Sequence, residues 1–321
     1  MLRCSAFVSL SLSCLIFACA PARAPSQPST AATTSRPEPE PEAPSVPDDV
    51  VALAAGKVSV VRLSDGQELS SSQLPRELLK YDVLCAGEEH SSAAQHYAEL
   101  WLVERLATHA PNLGLELGAG FEMWAVKHQG VLSAYGAGKV SEKRLLKQTQ
   151  YSKQWGYPFA YYRPVLNRAR ELSLPLVALN APAALTSRVA KGGLDGLDPW
   201  TSQGLPELDL NDADHRADFE RRMKEHPGVE ASTLDNYYAA QVLWDETMAD
   251  NGMRWLDKHA PVRRLLIVAG QAHCQRSAIP KRIVRRGANG AAALLLTTQK
   301  PAADAATRYD YAVVVDSNSP D

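Results

Sequence analysis

Two short stretches concentrate the residues able to do acid–base or metal chemistry. Gly87-Glu-Glu-His90 follows the apolar run Val83 to Ala86, and Gly270-Gln-Ala-His273 follows the apolar run Leu265 to Ala269. A carboxylate beside an imidazole can hold or move a proton, and an imidazole can bind a metal. Gly-x-x-His carries little on its own: 19 glycines and 8 histidines among 321 residues give about 0.5 occurrences by chance. Here the pattern occurs twice, each time behind an apolar run of strand length, and that shared context gives it weight.

The elements that must position these residues follow from the same runs. Short, wholly apolar runs read as strands buried on both faces. Strands of a parallel sheet end at one edge, where ligands collect. His90 and His273 are therefore expected in one cleft, with Glu88 at its rim. Glu116 stands inside a third strand-like run, Leu113 to Leu117, where a carboxylate needs a partner or a cation; it is expected to rise toward the same cleft. Gly87 and Gly270 are expected to let the backbone turn. As a metal centre, the site would use His90 and His273. As a hydrolase, it would use Glu88 and His90 as a base and its orienting partner, with Glu116 and His273 completing the set.

Further strand-like runs are Val58 to Leu63, Leu174 to Leu179, Ala291 to Thr297 and Tyr311 to Val315. Helical patterns alternate with them from Ser91, over Phe121 to Tyr135, Ser141 to Gln150, Val165 to Leu172, Ala183 to Ala190 and Leu234 to His259. This alternation predicts an α/β fold: a layered α/β/α domain with a mostly parallel central sheet and helices on both faces. Gln154 to Pro164 carries five aromatic residues in a stretch broken by Pro and Gly, read as a ligand wall, a lid or a loop packed on the core.

The ends of the chain differ from this. Arg3 and the apolar run Phe7 to Phe17, too short to span a bilayer, read as a signal peptide over 1–18. Ile16-Phe-Ala-Cys19 resembles a bacterial lipobox, which makes Cys19 the lipidated residue; cleavage at an A-x-A site is the competing reading. Residues 19–49, rich in Pro, Ser, Ala and Glu, read as a disordered tether. The folded domain is expected over 50–317. A net charge of −2 gives no sign of a nucleic-acid partner. Cys85 and Cys274 remain in the domain. They read as two small buried residues, with a disulfide as the alternative an oxidising compartment permits.

The order of segments resembles a known family. Gly-Glu-x-His is followed by Glu116, Phe121-Glu-Met-Trp124, Trp155, Tyr161-Tyr162, Pro164, Leu179-Asn-Ala-Pro182, Gln241, Trp244-Asp-Glu-Thr-Met-Ala249 and the second Gly-x-x-His. Together these resemble the ChaN-like, iron-regulated haem-binding lipoproteins of the Tiki superfamily. The resemblance implies haem, with its iron, as the bound group, and a divalent metal ion as the alternative in hydrolase relatives. It implies Glu88, His90, Glu116 and His273 as the shared polar site, and a homodimer and an outer-membrane receptor among the partners. Tyr161, Tyr162 and Arg163 would supply a haem wall and a cation for the propionates. With no Asp after Cys19, resemblance to known lipoproteins places a lipid anchor in the outer membrane of a Gram-negative type cell envelope. Ser91 and Gln95 depart from the family pattern, where an acidic residue and a His are expected.

Overall fold

The computed structural model describes residues 46–224, 233–257 and 262–316. The expected signal peptide, Cys19 and nearly all of the expected tether lie outside these residues. Seven strands form one sheet: β1 Lys57–Arg62, β2 Val83–Glu88, β3 Glu116–Ala125, β4 Leu176–Asn180, β5 Arg263–Gly270, β6 Ala291–Thr297 and β7 Tyr311–Asp316. Their order is β1-β7-β6-β2-β5-β3-β4. Only β1, at one edge, runs antiparallel to its neighbour. The helices that matter here are α1 Ala93–His109, α2 Gln129–Gly136, α3 Phe159–Glu171, α4 Ala213–Met223, α5 Leu234–Asp257 and α6 Ile279–Arg285. Among the described residues no helix is long and apolar enough to cross a membrane.

The period of two along each strand sorts side chains into two layers. Leu84 and Ala86 of β2 and Leu266 and Val268 of β5 pack with Leu102 and Leu106 of α1 and Val165 and Leu166 of α3. Val83 and Cys85, with Leu265 and Ile267, face Met248 and Ala249 of α5 and Ile279 and Ile283 of α6. Both faces are covered, so the central strands are buried throughout. β2 and β5 lie in register with Glu88 opposite Gly270, which brings the two Gly-x-x-His segments side by side at the carboxyl edge. A disulfide joins Cys85 to Cys274, next to His273, across 189 residues of sequence. Of the two readings the sequence allows for these cysteines, the bond is the one formed.

Several expectations are corrected. Gly87 lies within β2 and does not serve a turn. A Cβ there would come within 3.0 Å of the Gln271 Cα and 3.1 Å of the Cys274 Cβ, so glycine lets the second motif pack directly on the first. The expected helix from Phe121 is strand as far as Ala125, and helical turns begin only at Val126. Pairing with both β4 and β5 overrides the local helical pattern of this stretch. The aromatic segment is not all loop, since α3 starts at Phe159 and carries Pro164 inside it.

Candidate functional site

The site forms where the carboxyl ends of β2, β5 and β3 meet, and it has two halves. The first lies on the α1/α3 side. Glu88, the last residue of β2, points into that layer and is buried. Its Oε1 accepts from His90 Nδ1 at 2.7 Å and from the Tyr162 hydroxyl at 3.0 Å. Its Oε2 lies 3.1 Å from His96 Nε2, and His96 Nδ1 contacts Glu99 Oε2 at 3.0 Å. His96 Nε2 also reaches the His90 carbonyl at 3.1 Å. Both nitrogens of His96 face acceptors, which is the pattern of an imidazolium donating twice.

The second half lies on the α5 side. Glu122, six residues along β3 from Glu116, points there. Its Oε2 accepts the Gly270 N–H at 2.8 Å, and its Oε1 lies 3.3 Å from His273 Nε2. His273 Nδ1 donates to Asp245 Oδ1 at 2.5 Å. The other Asp245 oxygen takes His215 Nε2 at 2.8 Å. His215 Nδ1 in turn lies 3.2 Å from the Tyr238 hydroxyl and 3.1 Å from the Arg282 guanidinium.

The halves meet at Gly270. A Cβ there would lie 3.0 Å from His90 Nε2 and 3.7 Å from Glu122 Oε2. The His90 ring therefore crosses the sheet edge over a bare backbone and approaches Glu122. Both histidines line one cavity of about 640 Å³, together with Met123, Trp155, Tyr157, Tyr161, Asn180 and Trp244. Trp155 and Tyr157 hold the His90 ring, at 4.8 and 4.7 Å between centroids. Trp244 meets the His273 ring edge-on at 6.0 Å.

The charges follow from this packing. Burial opposes the charge on His273, but Glu122 and Asp245 outweigh it and raise its pKa to about 10. Burial likewise opposes charge on His96, and Glu88 and Glu99 raise it to about 9. Burial works against ionised Glu122, yet His273, His90 and the Gly270 N–H hold it at about 2. Glu88 is pulled down in the same way by His96 and His90 against its burial. Glu99 goes the other way: burial raises it, and His96 only partly offsets that.

Of the residues singled out from the sequence, Glu88, His90 and His273 come together. Tyr162 is fully buried behind the site, bonded to Glu88, and Tyr161 lines the cavity, stacked on His96 at 5.0 Å. Glu116 does not join them. It is the first residue of β3, half-exposed, and paired with Arg263 at 3.0 Å. Six residues of strand put it about 20 Å from Glu122. Arg163 is also elsewhere: one helical step past Tyr162 turns it away from the cavity. Glu142 grips its guanidinium at 2.9 Å and Asp48 at 2.7 Å.

Glu122, His96, Glu99, Asp245 and His215 complete the site and were not assigned to it from sequence. Two signals were present. Gln241 and Asp245 stand four apart on one face of an otherwise apolar helix stretch, and His96 and Glu99 stand three apart on another. Glu88, His96 and Glu99 each offer a ligand atom within 4.8 Å of the others. With both His96 nitrogens engaged, the cluster as built is a hydrogen-bonded ion group. His90 has instead the arrangement of a metal-binding histidine, with Nδ1 fixed by Glu88 and Nε2 left without a hydrogen-bond partner among the described residues, whereas both nitrogens of His273 face carboxylates.

Residues 74–283 match the family described as haem-binding uptake, Tiki superfamily, ChaN, and the chain belongs to that family. No curated protein is matched by sequence. Among solved structures the fold is similar to ChaN of Campylobacter jejuni, described as binding heme cofacially. The TM-score is 0.64 at 16% identity, covering 81% of this chain and 97% of that one. An erythromycin esterase, EreC, is more distant, with a TM-score of 0.41 at 14% identity over 81% of this chain and 83% of that one.

Proposed function

We propose that this protein binds haem in the cavity between the two histidine motifs and serves haem or iron uptake. The observation that carries the reading is the cavity wall. Trp155, Tyr157, Tyr161, Met123 and Trp244 give a flat ligand apolar and aromatic surfaces, and the volume lies in the range of small-molecule sites. His90 Nε2 has no hydrogen-bond partner among the described residues, while Nδ1 is held by Glu88. His90, His128, His273, Met123, Tyr157 and Tyr161 line the cavity and are of the types that ligate haem iron. Among the described residues no Lys or Arg lines it, and Ser91, His128, Gln154 and Asn180 are polar side chains its wall offers the propionates. The Campylobacter relative binds heme cofacially; this reading extends haem binding to the present chain, without the cofacial geometry.

Anchoring through a lipid on Cys19, to the outer membrane, belongs to the same reading and is supported by the lipobox-like Ile16-Phe-Ala-Cys19. A homodimer and an outer-membrane receptor are its expected partners. The Cys85–Cys274 bond fits an oxidising compartment. Two experiments test the reading. Haem titrated into the purified domain should give a saturable Soret band that weakens or shifts in Trp155→Ala and Tyr157→Phe. Identical titrations in wild type and both variants would remove the cavity from the account. Cys19→Ala should move the full chain from the membrane pellet to the soluble fraction, and continued sedimentation after a salt wash would refute the anchor.

A further inference from the structure

A second and larger cavity, about 1090 Å³, follows the free edge of β4, away from the histidine motifs. Edge strands usually invite another strand, but this one is closed to pairing. Gln129 accepts the Ala178 N–H at 2.7 Å and donates to the Leu176 carbonyl at 2.8 Å, and Asn251 donates to the Leu179 carbonyl at 2.9 Å. An occupant of the groove must therefore be recognised by side chains.

Those side chains are left with donors. The Tyr135 hydroxyl donates to Asn167 Oδ1 at 3.0 Å, so the Asn167 amide presents its NH₂ group. Gln129 Nε2 donates to Ser133 Oγ at 2.8 Å, which leaves the Ser133 proton to give. Arg170 is stacked on the Tyr135 ring, 4.4 Å from its centroid. Its Nε is buried without a hydrogen-bond partner, and among the described residues no carboxylate pairs with it. The other two arginines of the groove are engaged, Arg263 with Glu116 at 3.0 Å and Arg254 with Asp250 at 2.7 Å. One aromatic ring thus holds the guanidinium in place and, through its hydroxyl, sets the polarity of the neighbouring amide. Glu171 also lines the groove, where Arg168 holds its carboxylate at 2.9 Å, and Leu174 to Val177 give the wall an apolar stretch.

We infer that this groove is a second ligand site, selective for a small carboxylate with an apolar body, whose carboxylate sits on Arg170, Asn167 and Ser133. A guanidinium fork and two neutral donors match a carboxylate's paired oxygens. The apolar wall would take the rest of the molecule. The inference does not depend on haem binding.

The test uses hexanoate as probe, with hexanamide as its uncharged isostere, titrated into the full chain by calorimetry. Hexanoate should bind saturably, and hexanamide at least about tenfold more weakly. Arg170→Gln should weaken hexanoate by about tenfold or more, and Arg170→Lys by less. Amide shifts in the wild type should cluster at Ala137, Gly138 and Ser173, which line the groove. Both variants should keep the wild-type far-UV circular dichroism spectrum and a single cooperative unfolding transition, which separates lost binding from lost fold. Absence of saturable hexanoate binding at about 10 mM would overturn the proposal. So would equal binding of hexanamide, unchanged affinity in Arg170→Gln, or shifts confined to the histidine cavity.

Discussion

On the His273 side of the site each buried carboxylate holds two or more fixed donors; on the His90 side the innermost carboxylate does not. Asp245 receives His273 on one oxygen and His215 on the other, with Gln241 at 3.3 Å, and Glu122 receives a backbone N–H and faces His273. Glu88 takes His90 and Tyr162 on Oε1, while its buried Oε2 faces His96 at 3.1 Å without a hydrogen bond. Glu99 behind it has only His96, and its Oε1 is buried without a partner. The same four-residue motif has thus been set into a locked charge network on one side and a looser one on the other. A buried ion group is rigid to the extent that each lone pair is used. The comparison assigns the His273 half to holding geometry. The His90 half, whose ring spans the sheet edge and keeps one nitrogen free, is the half that adapts to a ligand.

The largest effect should come from breaking the locked half. Asp245→Ala leaves the His273 cation buried beside one carboxylate and strips His215 of its acceptor. It should lower the unfolding free energy in urea by about 3–5 kcal/mol. A loss under about 1 kcal/mol would mean the network is not locked. Next comes the covalent clamp between the halves. Replacing Cys85 and Cys274 together by Ala should cost about 2–5 kcal/mol, since the bond closes 189 residues of chain. Reducing agent should do the same to the wild type and nothing to the double variant.

The pH dependence should separate the halves. His96 and His273 have folded pKa values of about 9 and about 10, above the ordinary 6.5. Their contribution to stability is complete below pH 6.5 and is lost as pH rises, through about 9 for His96 and about 10 for His273. Stability should fall across that alkaline window, and His96→Gln should remove the earlier part of the fall. On the acid side Glu122, held at about 2, keeps its contribution above pH 4.5 and loses it as pH falls through about 2. A flat profile between pH 6.5 and 10 would contradict the assigned charges. The smallest effect belongs to Glu99→Gln. Since Glu99 is poorly satisfied as an anion, a neutral amide of the same shape should change stability by less than about 1 kcal/mol in either direction. A larger loss would show that the looser half is as tightly bound as the other.

The layered fold was legible because its strands are apolar on both faces and helices fall between them; boundaries moved, and the helix Ala213–Met223 was not expected. The site was half legible. Glu88, His90 and His273 announce themselves by following strands, so chain direction alone delivers them to one edge. Glu122 was hidden because Phe121-Glu-Met-Trp reads locally as helix, and only its pairing with β4 and β5 makes it strand. Glu116 looked buried because its neighbours are apolar, yet the first residue of a strand is where a carboxylate can reach solvent and an arginine. Asp245 and His215 meet across two neighbouring helices, 30 residues apart, and that contact is tertiary. The disulfide was open for the same reason: two cysteines 189 residues apart carry no distance until β2 and β5 are paired.

The central claim is that the two motifs act as one site, and a double-mutant cycle read by haem titration tests it most directly. His90→Ala and His273→Ala should each weaken the Soret-monitored affinity for haem, and the double variant should lose less than the sum of the two, because both imidazoles address one ligand through Glu122. Strictly additive losses, or haem affinity unchanged by both single variants, would contradict a shared site.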